Sequence, residues 1–344
     1  MSYNLPCKSR PALRIVALAS LCVAMTACGT DATSTPALQP ATTTPLLATA
    51  TPLAAGATNT PALPATPASA AGSGTVVTVV AAENFYGDIV QQLGGAHVAV
   101  TSILSDPNID PHEYESNVQT AVAVTKAQIV IKNGGGYDDW MDKLLAAAPN
   151  AQRQVISGFD LAPRKLPNNE HVWYGFDNVK AIAQGIAGAL QQQDGADGAT
   201  FAANLRLFDQ AVDQLDQQLQ GLKARYNSTP VGLTETIYLY QSQPLGLQVL
   251  TPFEFEKAIA EGNDPPADTV AAANTQISQH QIKILIYNNQ TVTPVTTNLE
   301  NAAKTNNIPI VPVTETMPPG KSYQQWMHDQ LNTLQQALQQ STGK

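Results

Sequence analysis

Residues 197–226 read DGATFAANLRLFDQAVDQLDQQLQGLKARY. Within this stretch, large apolar side chains recur at three- and four-residue steps: Leu205, Phe208, Val212, Leu215, Leu219 and Leu222. This spacing places them on one face and predicts a single helix with an apolar stripe, about 45 Å long.

Short apolar runs alternate with helical patterns on both sides of this helix. Before it, strands are predicted at 76–81, 98–104, 129–131 and 154–156, and helices at 85–93, 118–126 and 178–193. After it, strands are predicted at 230–234, 283–287 and 308–313, and a helix at 323–339. Such alternation is typical of mainly parallel sheets. The predicted fold class is α/β, with an N-terminal lobe at 75–196 and a C-terminal lobe at 227–344, joined by one long rigid helix at 197–226.

The first residues have the pattern of a secretory signal. Lys8, Arg10 and Arg14 precede an apolar run at 15–25 that is too short to span a bilayer comfortably. The run ends in MTACG, which resembles a bacterial lipobox and would make Cys28 the lipidated first residue of the mature protein. We therefore predict a lipoprotein signal peptide at 1–27; the alternative is an ordinary cleaved signal.

Residues 28–74 are rich in Thr, Ala and Pro, and their only large apolar side chains are five leucines. Such a segment cannot bury enough surface to offset the entropy lost on ordering. We predict a disordered tether, which would hold the lobes near the outer face of the cell membrane while the N-terminal lipid anchors the chain.

Composition excludes several functions. The chain of 344 residues has a net charge of -9 and a pI near 4.9, which makes nucleic acid a poor partner. Its 3 cysteines, Cys7, Cys22 and Cys28, all precede the predicted lobes. The lobes therefore contain neither a disulfide nor a thiolate ligand. The sequence has no HExxH, GxSxG, phosphate-loop or dinucleotide-binding motif.

The chain has 5 histidines, and two of them lie in loops of distinctive sequence. His112 lies within DPHEYE and His171 within NNEHVW. Loops beyond the carboxyl ends of strands are where α/β sheets bind ligands. The alternative is that both are surface histidines. His97 follows a turn, and His280 and His328 are predicted on helices; we assign no function to these three.

The sequence DPHEYE at 110–115 resembles the D-P-H-x-Y-E motif of the zinc/manganese ABC-transporter solute-binding proteins of cluster A-I, whose motif histidine binds metal. Other matches follow in the same order as in that family: NGG at 133–135, HVW at 171–173, KILIYNNQ at 283–290 and VTETMPPG at 313–320. The resemblance extends from about Val76 to Leu338.

This resemblance implies four metal ligands in the cleft between the lobes: His112, His171, Glu235 and Glu315. Two neutral imidazoles and two carboxylates neutralise a buried divalent cation. Imidazole suits zinc and manganese, while carboxylates and the lack of thiolates favour Mn²⁺ over Zn²⁺.

The resemblance further implies a function in transport. We expect a monomeric, extracytoplasmic solute-binding lipoprotein, not an enzyme, that captures Mn²⁺ or Zn²⁺ and delivers it to an ABC permease and its ATPase subunits. One alternative is a zinc-dependent hydrolase that uses the same histidines and a metal-bound water. Another is an adhesin-type interaction lipoprotein, because some members of the family are described as adhesins.

Overall fold

The computed structural model describes residues 76–344, apart from residue 108, residues 110–113 and residue 115. The predicted signal peptide, Cys28, the predicted tether and His112 lie outside the described residues.

The described strands form two parallel sheets of four strands each. The strands are β1 (Val77–Glu83), β2 (Val98–Leu104), β3 (Ile129–Lys132), β4 (Gln154–Ser157), β5 (Pro230–Leu233), β6 (Gln248–Val249), β7 (Ile284–Asn288) and β8 (Ile310–Val313). The first sheet has the order β2-β1-β3-β4, and the second has the order β6-β5-β7-β8. All pairings are parallel, so the α/β prediction is confirmed.

Helices connect the strands. They are α1 (Asn84–Gly94), α2 (Val118–Lys126), α3 (Asp139–Ala147), α4 (Gly158–Leu161), α5 (Phe176–Gln193), α6 (Gly198–Tyr226), α7 (Leu239–Leu245), α8 (Phe253–Ala260), α9 (Ala267–Ser278), α10 (Pro294–Thr305) and α11 (Tyr323–Thr342). None of the helices in the described part of the chain is long and apolar enough to cross a membrane.

Local sequence sets the starts of several helices. The Asn117 side chain accepts a hydrogen bond from the backbone N–H of Thr120 and caps α2. Capping boxes formed by Thr293 with Thr296, and by Ser322 with Gln325, start α10 and α11.

The long helix α6 joins the two sheets by packing against elements of both. It contacts α1 and α5 of the first half and α7 and α11 of the second. The predicted stripe is buried from Phe208 to Leu222, whereas Leu205 is only half-buried. One apolar cluster continues from β1 through α6 to α11, so the two lobes share a core. Separating them would expose that core to water.

The structure differs from the sequence-based prediction at β6 and at His280, among other places. The two-residue strand β6 was not predicted, because a strand this short has no periodicity. His280 was placed on a helix, but it lies beyond the end of α9 with a φ of 52°.

Candidate metal centre

Three of the predicted ligands meet between the two sheets. His171 lies in the segment between α4 and α5, while Glu235 and Glu315 are each the second residue after a strand, β5 and β8. Each side chain offers a ligand atom, and these atoms all lie within 4.8 Å of one another. The parallel topology explains the convergence, because β5, β7 and β8 all end at the same edge of the second sheet.

Because the cluster is buried, water does not screen the repulsion between its two carboxylates. His171, Glu235 and Glu315 are 0%, 1% and 0% exposed. Two ionised carboxylates closer than 4.8 Å repel by at least about 3 kcal/mol at an effective dielectric constant of 20. A divalent cation between them would replace this repulsion by attraction, and a neutral imidazole would add a ligand without adding charge.

Asn169 fixes which nitrogen of His171 can bind a metal. Its Nδ2 donates to the carbonyl oxygen of Thr236 over 2.7 Å, which settles the orientation of the amide. Its Oδ1 therefore faces His171, where it accepts from the backbone N–H at 3.0 Å and contacts Nδ1 at 3.0 Å. Because an amide oxygen only accepts, Nδ1 carries the proton. In the neutral imidazole, Nε2 is then the nitrogen with the lone pair, as a metal ligand requires.

Aromatic side chains enclose the imidazole. The ring of Trp173 lies edge-on to His171, with centroids 5.1 Å apart, and the ring of Tyr137 lies edge-on at 5.8 Å. Both aromatic residues are buried. They restrict rotation of the imidazole and keep water away from it.

Hydrogen bonds orient the Glu315 carboxylate at both oxygens. Its Oε1 accepts from Asn288 Nδ2 at 2.7 Å and from Thr291 Oγ1 at 2.9 Å. Its Oε2 accepts from the Tyr137 hydroxyl at 2.9 Å. Burial, followed by the charge of Glu315, raises the pKa of Tyr137 well above its usual value, so the hydroxyl keeps its proton and donates. Such support is typical of ligating carboxylates.

Glu235 is held by its own backbone turn. It directly precedes a short 3₁₀ turn at Thr236–Tyr238, and its Oε1 accepts from the backbone N–H of Ile237 at 3.2 Å. The extended backbone of Glu235 turns the chain from β5 into this turn and brings the carboxylate to the edge of the sheet.

Ile109, three residues before His112 in the sequence, lies beside the same cluster. Gln290 Oε1 accepts from the backbone N–H groups of Glu315 and Thr316, at 2.7 and 2.8 Å. Its Nε2 donates to the carbonyl oxygen of Ile109 at 3.2 Å. His112 itself lies outside the described residues.

A buried acidic pair lies behind the cluster. Glu83 ends β1 and is 0% exposed; burial, followed by the nearby charge of Asp138, raises its pKa well above the usual value. Asp138 accepts from the backbone N–H groups of Asn133 and Gly134, both at 2.7 Å. These bonds fix the turn after β3, in which Gly134 has a φ of 75° that a side chain would strain.

Hydrogen bonds tie the two lobes together beside the cluster. Asn84 Nδ2 donates to the carbonyl oxygen of Met317 at 2.6 Å, and the backbone N–H of Met317 donates back to Asn84 Oδ1 at 2.9 Å. The Tyr323 hydroxyl donates to the carbonyl oxygen of Trp173 at 2.7 Å. With the shared core, these bonds restrict wide opening between the lobes.

The structure thus brings together His171, Glu235 and Glu315, and the supporting residues were not predicted as part of the site. Asn169, Tyr137 and Asn288 act through hydrogen bonds between distant segments, which sequence spacing does not reveal. Asn169 had one usable signal, its position two residues before a predicted ligand.

Comparison with known proteins identifies a family. Residues 79–337 match the model of the family described as "Zinc-uptake complex component A periplasmic". Two curated relatives are the metal ABC transporter substrate-binding lipoprotein ScbA of Streptococcus cristatus and the manganese ABC transporter substrate-binding lipoprotein scaA of Streptococcus gordonii. The first is 26% identical over 167 residues, 45% of this chain and 53% of the relative. The second is 26% identical over 171 residues, 46% of this chain and 54% of the relative. The chain spans about half the length of these relatives.

Solved structures share the fold. The periplasmic zinc binding protein TroA from Treponema pallidum superposes with a TM-score of 0.66 at 15% identity, over 77% of this chain and 99% of that chain. At this identity the likeness shows the architecture alone.

Proposed function

The chain belongs to the zinc-uptake complex component A family, and from this premise we propose that it captures a divalent transition metal ion between its two lobes. The observation that carries the proposal is the buried cluster of His171, Glu235 and Glu315, whose ligand atoms lie within 4.8 Å of one another. Buried carboxylates this close to one another are stabilised most directly by a cation between them.

In this proposal His112 is the fourth ligand. The hydrogen bond from Gln290 to Ile109 supports the assignment, because Gln290 also bonds the backbone of Glu315 and Ile109 is only three residues before His112 in the sequence. Two imidazoles and two carboxylates offer only nitrogen and oxygen, so the substrate is Mn²⁺ or Zn²⁺, and the carboxylates favour the harder Mn²⁺.

The arrangement supports a carrier rather than a hydrolase. A catalytic zinc keeps an open position for water, usually with three protein ligands. Here Glu315 lies in the same cluster as Glu235 and His171, and its carboxylate is oriented by three hydrogen-bond donors. With His112 as well, protein atoms would fill all four positions.

Delivery completes the proposed function. The ion is passed to an ABC permease with its ATPase subunits, and lipidated Cys28 holds the monomer at the extracytoplasmic face of the membrane. The names of the two streptococcal relatives support both parts, since each is a substrate-binding lipoprotein of an ABC transporter. Mass spectrometry of the mature N-terminus tests the anchor: acylated Cys28 is expected, and an unmodified N-terminus would refute it.

Calorimetric titration of the chelator-treated protein with Mn²⁺ and with Zn²⁺ tests capture. We expect His171→Ala, Glu235→Gln and His112→Ala each to weaken binding at this site at least tenfold. The matched controls change exposed residues of the same types, His328→Ala and Glu254→Gln, and should bind like the wild type. Unchanged binding in His171→Ala would refute the proposed site.

A further inference from the structure

A second group of histidine and aspartate side chains lies at the edge of the first sheet where β2 begins, opposite the carboxyl ends of its strands. His97 directly precedes β2 and so lies at the amino end of that strand, whereas the candidate metal centre lies beyond carboxyl ends. Asp194 directly follows α5, and Asp197 directly precedes α6. The 18 residues of α5 span about 27 Å between its start near His171 and its end at Asp194. The second group is therefore separate from the site described above.

The three side chains converge. Each offers a ligand atom, and these atoms all lie within 4.8 Å of one another. His97 Nδ1 lies 2.8 Å from Asp197 Oδ2, with side chains 21% and 15% exposed, while Asp194 is only 6% exposed. The ring of His97 also packs edge-on against Phe201 of α6, with centroids 5.9 Å apart. A solvated ion could thus approach from one side and meet a buried carboxylate at the other.

Neither Asp194 nor Asp197 caps the helical turn that it precedes. Asp194 occupies the N-cap position of the 3₁₀ turn Gly195–Asp197, and Asp197 occupies the N-cap position of α6. At such positions the side chain ordinarily accepts a hydrogen bond from a backbone N–H of the first turn. Here neither side chain makes a capping hydrogen bond. Capping therefore does not explain their presence.

Two buried carboxylate oxygens remain without a hydrogen bond in this group. Asp194 Oδ2 has no hydrogen-bond partner. Asp197 Oδ2 has no hydrogen bond either, and its close neighbour is the His97 ring nitrogen Nδ1 at 2.8 Å. Within the described part of the chain, no lysine or arginine forms an ion pair with either residue. Buried oxygens of this kind normally have a partner, and a cation would provide one.

We propose that His97, Asp194 and Asp197 form a second divalent-metal site, which takes Zn²⁺ with water as the remaining ligand. One imidazole and two carboxylates form a three-ligand set that suits zinc with an open fourth position, and zinc binds such sets more tightly than manganese. The ion would join the start of β2 to the junction of α5 and α6. Zinc binding at this site would therefore stabilise the folded state. The inference does not depend on the proposed transport function.

Equilibrium dialysis of the chelator-treated full chain against Zn²⁺ tests the site by counting bound ions. We expect two zinc ions per chain in the wild type, one in Asp194→Asn, one in His171→Ala and none in the double variant. The control Asp213→Asn changes an exposed aspartate of α6 and should still bind two. If Asp194→Asn binds as many ions as the wild type, the second site is refuted, whereas His171→Ala tests the first site separately.

Thermal unfolding provides an independent measurement. In the His171→Ala background, in which dialysis is expected to find zinc only at the second site, saturating Zn²⁺ should raise the unfolding midpoint. Adding His97→Ala or Asp194→Asn should abolish that rise. If zinc leaves the midpoint of His171→Ala unchanged, the group is a histidine–aspartate ion pair only and the proposal is wrong.

Discussion

Asn169→Ala should weaken metal binding without removing a ligand. The Asn169 side chain takes part in three contacts, two with His171 and one with the carbonyl oxygen of Thr236. Without Oδ1, the Thr236 hydroxyl still lies 3.4 Å from Nδ1, but it can donate as well as accept, so the imidazole can adopt the tautomer or rotation that removes the Nε2 lone pair from the site. Loss of such a supporting contact typically costs about 10- to 100-fold in metal affinity, or about 1.4–2.7 kcal/mol.

Competition calorimetry with Mn²⁺ and Zn²⁺ on the chelator-treated full chain measures this loss. Asn178→Ala is the matched control, because the Asn178 side chain is also buried and makes three hydrogen bonds, none of them to the imidazole. Both variants should lose stability in urea, but only Asn169→Ala should lose affinity. Equal affinities in the two variants would refute the argument that Asn169 selects the tautomer.

Other predictions concern stability. Because burial raises the pKa of Glu83, the folded state keeps a proton that the unfolded state releases above about pH 4.5, and stability falls as pH rises. Glu83→Gln should therefore be more stable than the wild type in urea at neutral pH, by a margin that grows with pH; a constant margin would contradict the assignment. Leu219→Ala should cost about 2–5 kcal/mol, because Leu219 is 2% exposed within the shared core. On the same helix Leu207→Ala should change the free energy of unfolding by no more than about 0.5 kcal/mol, because Leu207 is 65% exposed. Equal urea midpoints of Leu219→Ala and Leu207→Ala would refute the packing of α6. Tyr137→Phe removes a donor to Glu315 and should destabilise the metal-free protein by about 1.5–3 kcal/mol, and the metal-loaded protein by more, because loss of this support also weakens metal binding. Thermal unfolding with and without metal measures the difference, and equal losses would show that the cation does not contact that carboxylate.

Periodicity predicted the elements with strong patterns. The seven predicted strands are all present, with ends that differ by no more than two residues, and α6 matches the apolar stripe of residues 197–226. Helices such as α9 and α10 were not predicted, because their sequences, ADTVAAANTQIS and PVTTNLENAAKT, contain few large apolar residues. Tertiary packing stabilises both helices, and a capping box adds to the stability of α10.

The site was predictable only in part. The loop sequence around His171 indicates a candidate ligand. Glu235 and Glu315 are predicted as ligands only by the family resemblance, since nothing in their local sequence distinguishes them from solvated carboxylates. Their convergence depends on the order of strands in two sheets, which the sequence pattern does not specify. The same limit explains why His97 was given no function, because Asp194 and Asp197 lie far from it along the chain.

Anomalous diffraction from crystals grown with Mn²⁺ tests the central claim most directly. The account predicts that the strongest anomalous peak lies about 2.0–2.3 Å from His171 Nε2 and from carboxylate oxygens of Glu235 and Glu315, with His112 completing the ligand set. A strongest peak away from these three residues, or no peak between the lobes at saturating Mn²⁺, would contradict it.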